Sequence, residues 1–176
     1  AMWFAEFSLL NYRDPLLRRD QLKRWGFDDE QYLAVDDEES DTHFFLTGNT
    51  DTLVLSFRGT LSLGNVITDI NILKSAEPNT TGHVHAGFKN SLDAVWTSKV
   101  LPLVQKHQNG RKLYVVGHSL GGALAQLAAF RLQSAGVDVG SVYTFGAPVV
   151  GDAKYVRHYD RVIGSRTYNH INHNDI

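Results

Sequence analysis

The sequence predicts an α/β domain whose central, mostly parallel sheet is flanked by helices. One observation is the apolar run Leu113–Val116, which leads through a glycine-rich turn into an Ala- and Leu-rich segment over residues 122–129, the pattern of a strand followed by a helix. A second is the run Thr52–Phe57, which is nearly all apolar, as in a strand covered on both faces. The 176 residues suit one domain with a sizeable core.

The amino-acid composition of the chain argues against several classes of function. The chain has 17 basic and 19 acidic residues and a formal charge of −2, so no general attraction to nucleic acid or to an anionic membrane is expected. It contains no cysteine, which excludes disulfides, thiol catalysis and thiolate metal sites. The opening residues show no basic stretch followed by an apolar one, so no signal peptide is visible in them.

The N-terminal part predicts two helices. Trp3, Phe4, Phe7 and Leu10 recur at helical spacing, and Asp14-Pro15 ends that helix. In the second helix we expect a buried face and a solvated basic face. The buried face would hold Leu16, Leu17, Leu22 and Trp25, and the solvated face Arg18, Arg19, Lys23 and Arg24.

A hairpin is expected next. The acidic residues Asp36–Asp41 predict a solvated turn, and His43–Thr47 and Thr52–Phe57 predict two strands joined by a short polar connection. The second strand runs directly into Arg58-Gly59-Thr60. Residues 61–74 then place apolar side chains at spacings of three and four, which predicts a short amphipathic helix.

The rest of the chain alternates helices with strands. A loop over residues 78–91 leads into a long amphipathic helix between Phe88 and Gln108. After the Ala- and Leu-rich helix we expect a strand at Ser141–Phe145, a short helix around Tyr155–Tyr159 and a further strand at Arg166–Asn172.

The pentapeptide Gly117-His118-Ser119-Leu120-Gly121 carries the main chemical signal. A serine between two glycines at a strand-to-helix junction is typical of a nucleophile elbow, a strained turn that exposes the hydroxyl. Acyl transfer also requires donors aimed at the developing oxyanion. The backbone amide and hydroxyl of Thr60, at the end of one strand, and the amide of Leu120 are suitable donors.

These residues resemble the class 3 lipases of the α/β-hydrolase superfamily, which are related to the secreted fungal triacylglycerol lipases. The resemblance extends over five blocks in the same order: Phe57–Thr60, Val84–Phe88, Gly117–Ala125, Thr144–Gly151 and Asn174-Asp175. It implies that Ser119 is the nucleophile, that Thr60 and Leu120 form the oxyanion hole and that Asp175 is the acid of a catalytic triad. It also implies that Leu61 to Lys74 occupies the place of a lid that contacts a lipid interface. The alternative is a fixed surface helix.

The triad histidine is the point at which the sequence departs from the family. In this fold the order along the chain is Ser, Asp, His, but only Ile176 follows Asp175. One explanation is a single domain over residues 1–176 that is truncated after Ile176. A second is a rewired triad in which Asp152 is the acid and His170 or His173 the base. A third is a protein without catalytic activity that binds lipid or another protein.

The function expected from these features is that of a serine carboxylic-ester hydrolase, a lipase or esterase that degrades lipid through an acyl-enzyme at Ser119. A phospholipase or an aromatic-ester hydrolase of the same family is an alternative. We expect no metal or organic cofactor, because acyl transfer through a serine requires none. A metal site at His83 and His85 is not favoured, since they lack an obvious third ligand. The expected partner is an acyl-ester lipid and not nucleic acid. The resemblance favours secretion.

Overall fold

The main sheet combines an antiparallel and a parallel part. The computed structural model describes residues 2–37, 39–59 and 74–171. In that part of the chain the strands are β1 (Asp28–Asp37), β2 (Thr42–Gly48), β3 (Thr52–Phe57), β4 (Lys74–Ala76), β5 (His83–His85), β6 (Lys112–His118), β7 (Val139–Phe145) and β8 (Thr167–His170). The order in the main sheet is β1-β2-β3-β6-β7-β8, and β4 pairs with β5 in a separate ribbon. β1, β2 and β3 pair antiparallel, whereas β3, β6, β7 and β8 run parallel. The predicted mostly parallel sheet is confirmed.

Helices cover both faces of this sheet. They are α1 (Met2–Leu10), α2 (Pro15–Arg24), α3 (Ala86–Val95), α4 (Leu101–Gln108), α5 (Leu120–Ser134) and α6 (Ala153–Val162). The alternating side chains of β3 point to two separate apolar clusters. Leu53 and Leu55 join the larger cluster with α3 and α5, while Val54 packs with Phe7 of α1. A strand buried on both faces is nearly all apolar, and its one buried polar side chain at residues 53–57, Ser56, is hydrogen-bonded to Asn11 and to the Phe7 carbonyl.

The predicted orientation of α2 is wrong in part. Leu22 is buried as expected, but Leu16 and Leu17 are exposed, at 73% and 60%, and Arg18 is buried. The Arg18 guanidinium lies over the Phe45 ring, 5.4 Å from its centroid. It also donates to backbone carbonyls at and after the end of α1, those of Leu10, Asn11 and Arg13. The Leu10 carbonyl also accepts from the Arg13 N–H, but those of Asn11 and Arg13 lie beyond the helical ladder of α1, so a buried arginine satisfies them better than a leucine would.

The acidic segment is a turn only in its last part. Asp36 and Asp37 belong to the end of β1, and the turn covers residues 39–41. Each carboxylate has a partner: Asp36 lies 2.8 Å from His43 Nδ1, and Asp37 accepts from Lys99 Nζ at 2.8 Å. Hydrogen bonds from Lys99 and Ser40 lower the pKa of Asp37 to about 2. The strand tolerates these charges because β1 is at the edge of the sheet.

The long helix predicted between Phe88 and Gln108 is interrupted. A π-helical turn over Trp96–Val100 separates α3 from α4, and the Leu101 N–H donates to the Trp96 carbonyl, five residues back. Pro102 follows immediately and has no N–H to continue the α-helical ladder. The π-helical turn thus lies directly before a proline, a residue at which long helices are often interrupted.

Most of the other predicted helices and strands are confirmed, and one lies outside the described residues. The hairpin strands, the strand at β7, the helix at α6 and the strand at β8 are confirmed within a few residues. The predicted amphipathic helix over residues 61–74 lies outside the described residues except for Lys74, which begins β4. The described helices are all too short or too polar to cross a membrane.

Candidate active site

Ser119 lies at the junction between β6 and α5 in a backbone conformation that is rare for serine. Its φ is 54° and its ψ is −129°. A residue held in such a region costs about 1–3 kcal/mol, so the surrounding contacts must offset that cost. The Ser119 amide donates to the Phe145 carbonyl at 2.9 Å, and its own carbonyl accepts from Gly122 at 2.9 Å. Backbone bonds from two neighbouring elements thus hold the predicted elbow.

The two glycines of the pentapeptide make this turn sterically possible. A Cβ on Gly117 would collide with the Gly121 carbonyl. A Cβ on Gly121 would collide with the Phe57 carbonyl and would lie 2.7 Å from the carbonyl carbon of Arg58. The start of α5 therefore packs directly on the carboxyl end of β3, which brings the segment after Phe57 next to Ser119.

Leu120 is the first residue of α5, and Ser119 is its N-cap without a side-chain capping bond. The first amides of an α-helix have no partner within the helix and carry the positive end of its dipole. The Leu120 amide is therefore available to an anionic group beside Ser119. Ser119 and Leu120 are both half-buried.

The segment that precedes Thr60 approaches the elbow closely. The Arg58 amide donates to the His43 carbonyl at 2.9 Å. A Cβ built on Gly59 would lie 3.3 Å from the Ser119 Cβ and 2.6 Å from the His118 carbonyl oxygen. Thr60 itself lies outside the described residues, but its covalent neighbour is in contact with the elbow.

Tyr12 contributes a contact that the sequence reasoning missed. Its hydroxyl accepts a hydrogen bond from the Gly59 amide at 3.1 Å and lies 3.0 Å from His118 Nδ1. Burial raises the pKa of Tyr12, although the Gly59 hydrogen bond and the Arg58 charge oppose this shift. These partners are 47 and 106 residues away along the chain, so no local sequence pattern indicates the contact.

The rewired triad does not correspond to the described contacts. Asp152 caps α6 by accepting from the amides of Lys154 and Tyr155, and its second oxygen lies 3.3 Å from His83 Nδ1. The backbone hydrogen bond from Tyr155 is the largest cause of its lowered pKa. The His170 ring stacks on Phe145, with centroids 5.0 Å apart. The described hydrogen bonds therefore join Asp152 to His83 and α6 and not to His170.

Two predicted residues cannot be placed. Asp175, the expected acid, and His173, the second candidate base, lie outside the described residues. In the described ranges there is no group of three histidine or acidic side chains arranged to hold a metal ion. Of the four expected catalytic residues, Ser119 and Leu120 are thus placed together at the elbow, beside the segment that leads to Thr60.

Comparisons with known proteins agree on one family. The model of the family described as Lipase (class 3) matches residues 54–176. A lipase of Rhizopus niveus is 32% identical over 145 residues, which cover 77% of this chain and 37% of the relative. A secreted mono- and diacylglycerol lipase 2 of Gibberella zeae is 34% identical, over 66% of this chain and 34% of the relative. The chain thus spans about a third of the length of these curated relatives.

The fold comparison gives the same result over nearly the whole chain. The structure of lipase II from Rhizopus niveus superposes with a TM-score of 0.82 and 26% identity, covering 97% of this chain and 70% of that one. The strand order, the elbow geometry and the matched residues 54–176 converge. The chain belongs to the class 3 lipase family and has an α/β-hydrolase fold.

Proposed function

We propose that this protein is a serine carboxylic-ester hydrolase that cleaves acylglycerols through an acyl-enzyme at Ser119. The observation that carries the proposal is the backbone of Ser119, with φ 54° and ψ −129° at the start of α5. A strained serine with no capping bond from its own side chain is what a nucleophile elbow requires. The family to which the chain belongs gives the reaction class.

The proposed reaction has two halves. The Ser119 Oγ attacks the ester carbonyl carbon while a histidine imidazole takes the hydroxyl proton, and Asp175 orients that imidazole. The oxyanion that forms is stabilised by the amides of Leu120 and Thr60. The proton then passes to the leaving alcohol as its bond to the acyl carbon breaks. Water, activated by the same imidazole, releases the fatty acid and restores Ser119.

His118 is not suited to act as this imidazole. Its Nδ1 is 3.0 Å from the Tyr12 hydroxyl, and it precedes Ser119 directly in the strand. Side chains two residues apart in a strand share a face, so His118 lies on the same face as Val116, which packs with Phe7 of α1, and its ring reaches Tyr12. We therefore assign His118 a structural place beside the elbow.

The names of the relatives support the proposed substrate class. Names of relatives in Rhizopus and Gibberella specify lipase and mono- and diacylglycerol lipase activity, and the latter is called secreted. We accordingly propose acylglycerols as substrates and secretion as the destination. Residues 61–74, which follow the oxyanion residue in the chain, are proposed to contact the lipid interface.

The test is ester turnover by the intact protein with a matched pair of serine variants. Ser119→Ala is expected to lower kcat for a soluble butyrate ester by about 1000-fold or more, because the nucleophile is lost. Ser134→Ala makes the same chemical change at the other end of α5, where the hydroxyl donates to the Phe130 carbonyl at 2.8 Å. It should leave kcat unchanged. Full turnover by Ser119→Ala, or a folded wild-type protein without turnover, would overturn the proposal.

A further inference from the structure

Tyr12 joins two segments that meet beside Ser119. It lies two residues after the end of α1 and is half-buried. Its hydroxyl is 3.1 Å from the Gly59 amide nitrogen, in the segment after β3, and 3.0 Å from Nδ1 of His118, at the end of β6. A single oxygen atom thus bridges the carboxyl ends of two adjacent parallel strands.

The direction of the Gly59 hydrogen bond follows from the available protons. A backbone amide can only donate, so the Tyr12 oxygen accepts from Gly59. The second bond joins the same oxygen to His118 Nδ1, and either atom can be its donor, depending on the tautomer of the imidazole. In both cases the hydroxyl uses two of its hydrogen-bonding positions at once.

The space around Gly59 shows how closely the bridge fits. A Cβ at this position would collide with the Tyr12 hydroxyl and would come within 2.6 Å of the His118 carbonyl oxygen. The tyrosine hydroxyl and the elbow therefore both lie against Gly59 and leave no space for a side chain there. The next residue in the chain is Thr60, whose amide is the proposed oxyanion donor.

We propose that Tyr12 is a positioning residue that fixes the Gly59 backbone relative to the Ser119 elbow. This inference rests on the proposed function, in which the next residue along the chain supplies an oxyanion donor. Without the hydroxyl, the Gly59 amide and His118 Nδ1 lose their common partner, and Gly59 is no longer held against the elbow. Because the donor acts mainly in the transition state, the loss should appear in kcat and not in KM.

The kinetic test uses Tyr12→Phe in the intact protein. We expect kcat for a soluble butyrate ester to fall about 10- to 100-fold, the range expected when an aligned donor is displaced, while KM changes by less than about twofold. Tyr159→Phe is the matched control, because it also removes a hydroxyl with a partner, at 2.8 Å from Thr167 Oγ1, but in α6. It should leave both constants unchanged.

A spectroscopic measurement on the wild-type protein keeps the inference testable if Tyr12→Phe does not fold. Hydrogen exchange of the Gly59 amide, followed by nitrogen-15 NMR, should be slow, because this N–H donates to the Tyr12 hydroxyl. Exchange at the rate of a free amide would overturn the proposed bridge. So would an unchanged kcat in folded Tyr12→Phe, or a higher KM with the same kcat.

The parallel Ser119→Ala assay separates the two proposals. If Ser119→Ala loses turnover while folded Tyr12→Phe retains it, the ester hydrolase proposal stands and the role of Tyr12 is wrong. If Ser119→Ala retains turnover, both are wrong. Loss of turnover in Ser119→Ala together with a selective fall of kcat in Tyr12→Phe supports both.

Discussion

At the scale of single residues, the geometry of the site depends on two glycines, which have no side chain. Ser119 can adopt φ 54° because Gly117 and Gly121 leave room for the turn. Each glycine lies against a backbone carbonyl that cannot move aside without disturbing a strand or the helix. The strain at Ser119 and the close approach of β3 to α5 are therefore two results of the same glycine spacing.

Gly121→Ala tests this steric account. The added Cβ would collide with the Phe57 carbonyl oxygen and lie 2.7 Å from the Arg58 carbonyl carbon, and both are backbone atoms. We expect a loss of about 2 kcal/mol in the free energy of unfolding, typical of overpacking, together with reduced ester turnover. Chemical denaturation monitored by circular dichroism would measure the first effect.

Gly87→Ala is the control for that measurement. A Cβ at Gly87 meets only the His85 ring, at 2.9 Å, and a shift of that ring weakens one long capping bond, 3.4 Å from the Phe88 amide, and no strand contact. Gly87 also lies within α3, where alanine is favoured over glycine. Its free energy of unfolding should stay within about 1 kcal/mol of wild type. Equal stability of Gly121→Ala and wild type would show that the contact with β3 is not tight.

Residue-level prediction from the sequence succeeded where the chemistry is local. The elbow was predictable because Gly117, Ser119 and Gly121 are neighbours in the chain and the spacing itself imposes the turn. Tyr12 was not predictable, because its partners at Gly59 and His118 are brought to it only by the completed sheet.

At the scale of helices and strands, two predictions that were wrong have physical causes. α2 buries Arg18 instead of Leu16 and Leu17, because the backbone carbonyls that follow α1 accept hydrogen bonds from its guanidinium. β1 contains acidic residues that a propensity argument places in a loop, yet His43 and Lys99 pair with them. In each case a tertiary contact outweighed the local preference that the sequence pattern displayed.

A buried ion pair joins the segment after β4 to α5. Glu77, whose side chain is fully buried, accepts from Arg131 Nε at 2.5 Å and from Nη2 at 2.8 Å. Arg131 also contacts Asp93 Oδ1 at 2.7 Å and lies over the Trp96 ring. Burial opposes the charge on Arg131, but the hydrogen bonds and charges of Glu77 and Asp93 outweigh it and raise its pKa.

Glu77→Gln tests the contribution of this pair. The variant leaves the buried Arg131 without its main counter-charge, and breaking such a pair costs about 3 kcal/mol. Glu6→Gln removes a carboxylate from an exposed position of α1 and should change the free energy of unfolding by less than about 0.5 kcal/mol. Denaturant titration of both variants would measure the difference.

A double variant distinguishes an unpaired charge from lost packing. In Glu77→Leu with Arg131→Met both charges are absent, so we expect much of the stability lost in Glu77→Gln to return. If the double variant is as unstable as Glu77→Gln, the cost lies in packing and not in the unpaired charge. A Glu77→Gln protein as stable as wild type would show that Asp93 alone suffices for Arg131.

At the scale of the whole molecule, the sheet brings the residues of the candidate site together. β3, β6 and β7 run parallel, so their carboxyl ends meet at one edge and bring Gly59, Ser119 and Phe145 together. This is the edge at which open α/β sheets bind their ligands. The fold class could be predicted because apolar strands and the elbow helix are strong local signals. The positions of Thr60 and Asp175 relative to Ser119 could not be predicted in this way, and their catalytic roles are proposals.

The most direct test of the central claim is labelling of the intact, folded protein with a fluorophosphonate, followed by peptide mapping by mass spectrometry. Such reagents modify serines that are activated as nucleophiles. We predict a single adduct on Ser119, which disappears when the protein is unfolded before labelling. A folded protein that takes up no label, or takes it up at another serine, would contradict the assignment of Ser119 as the nucleophile.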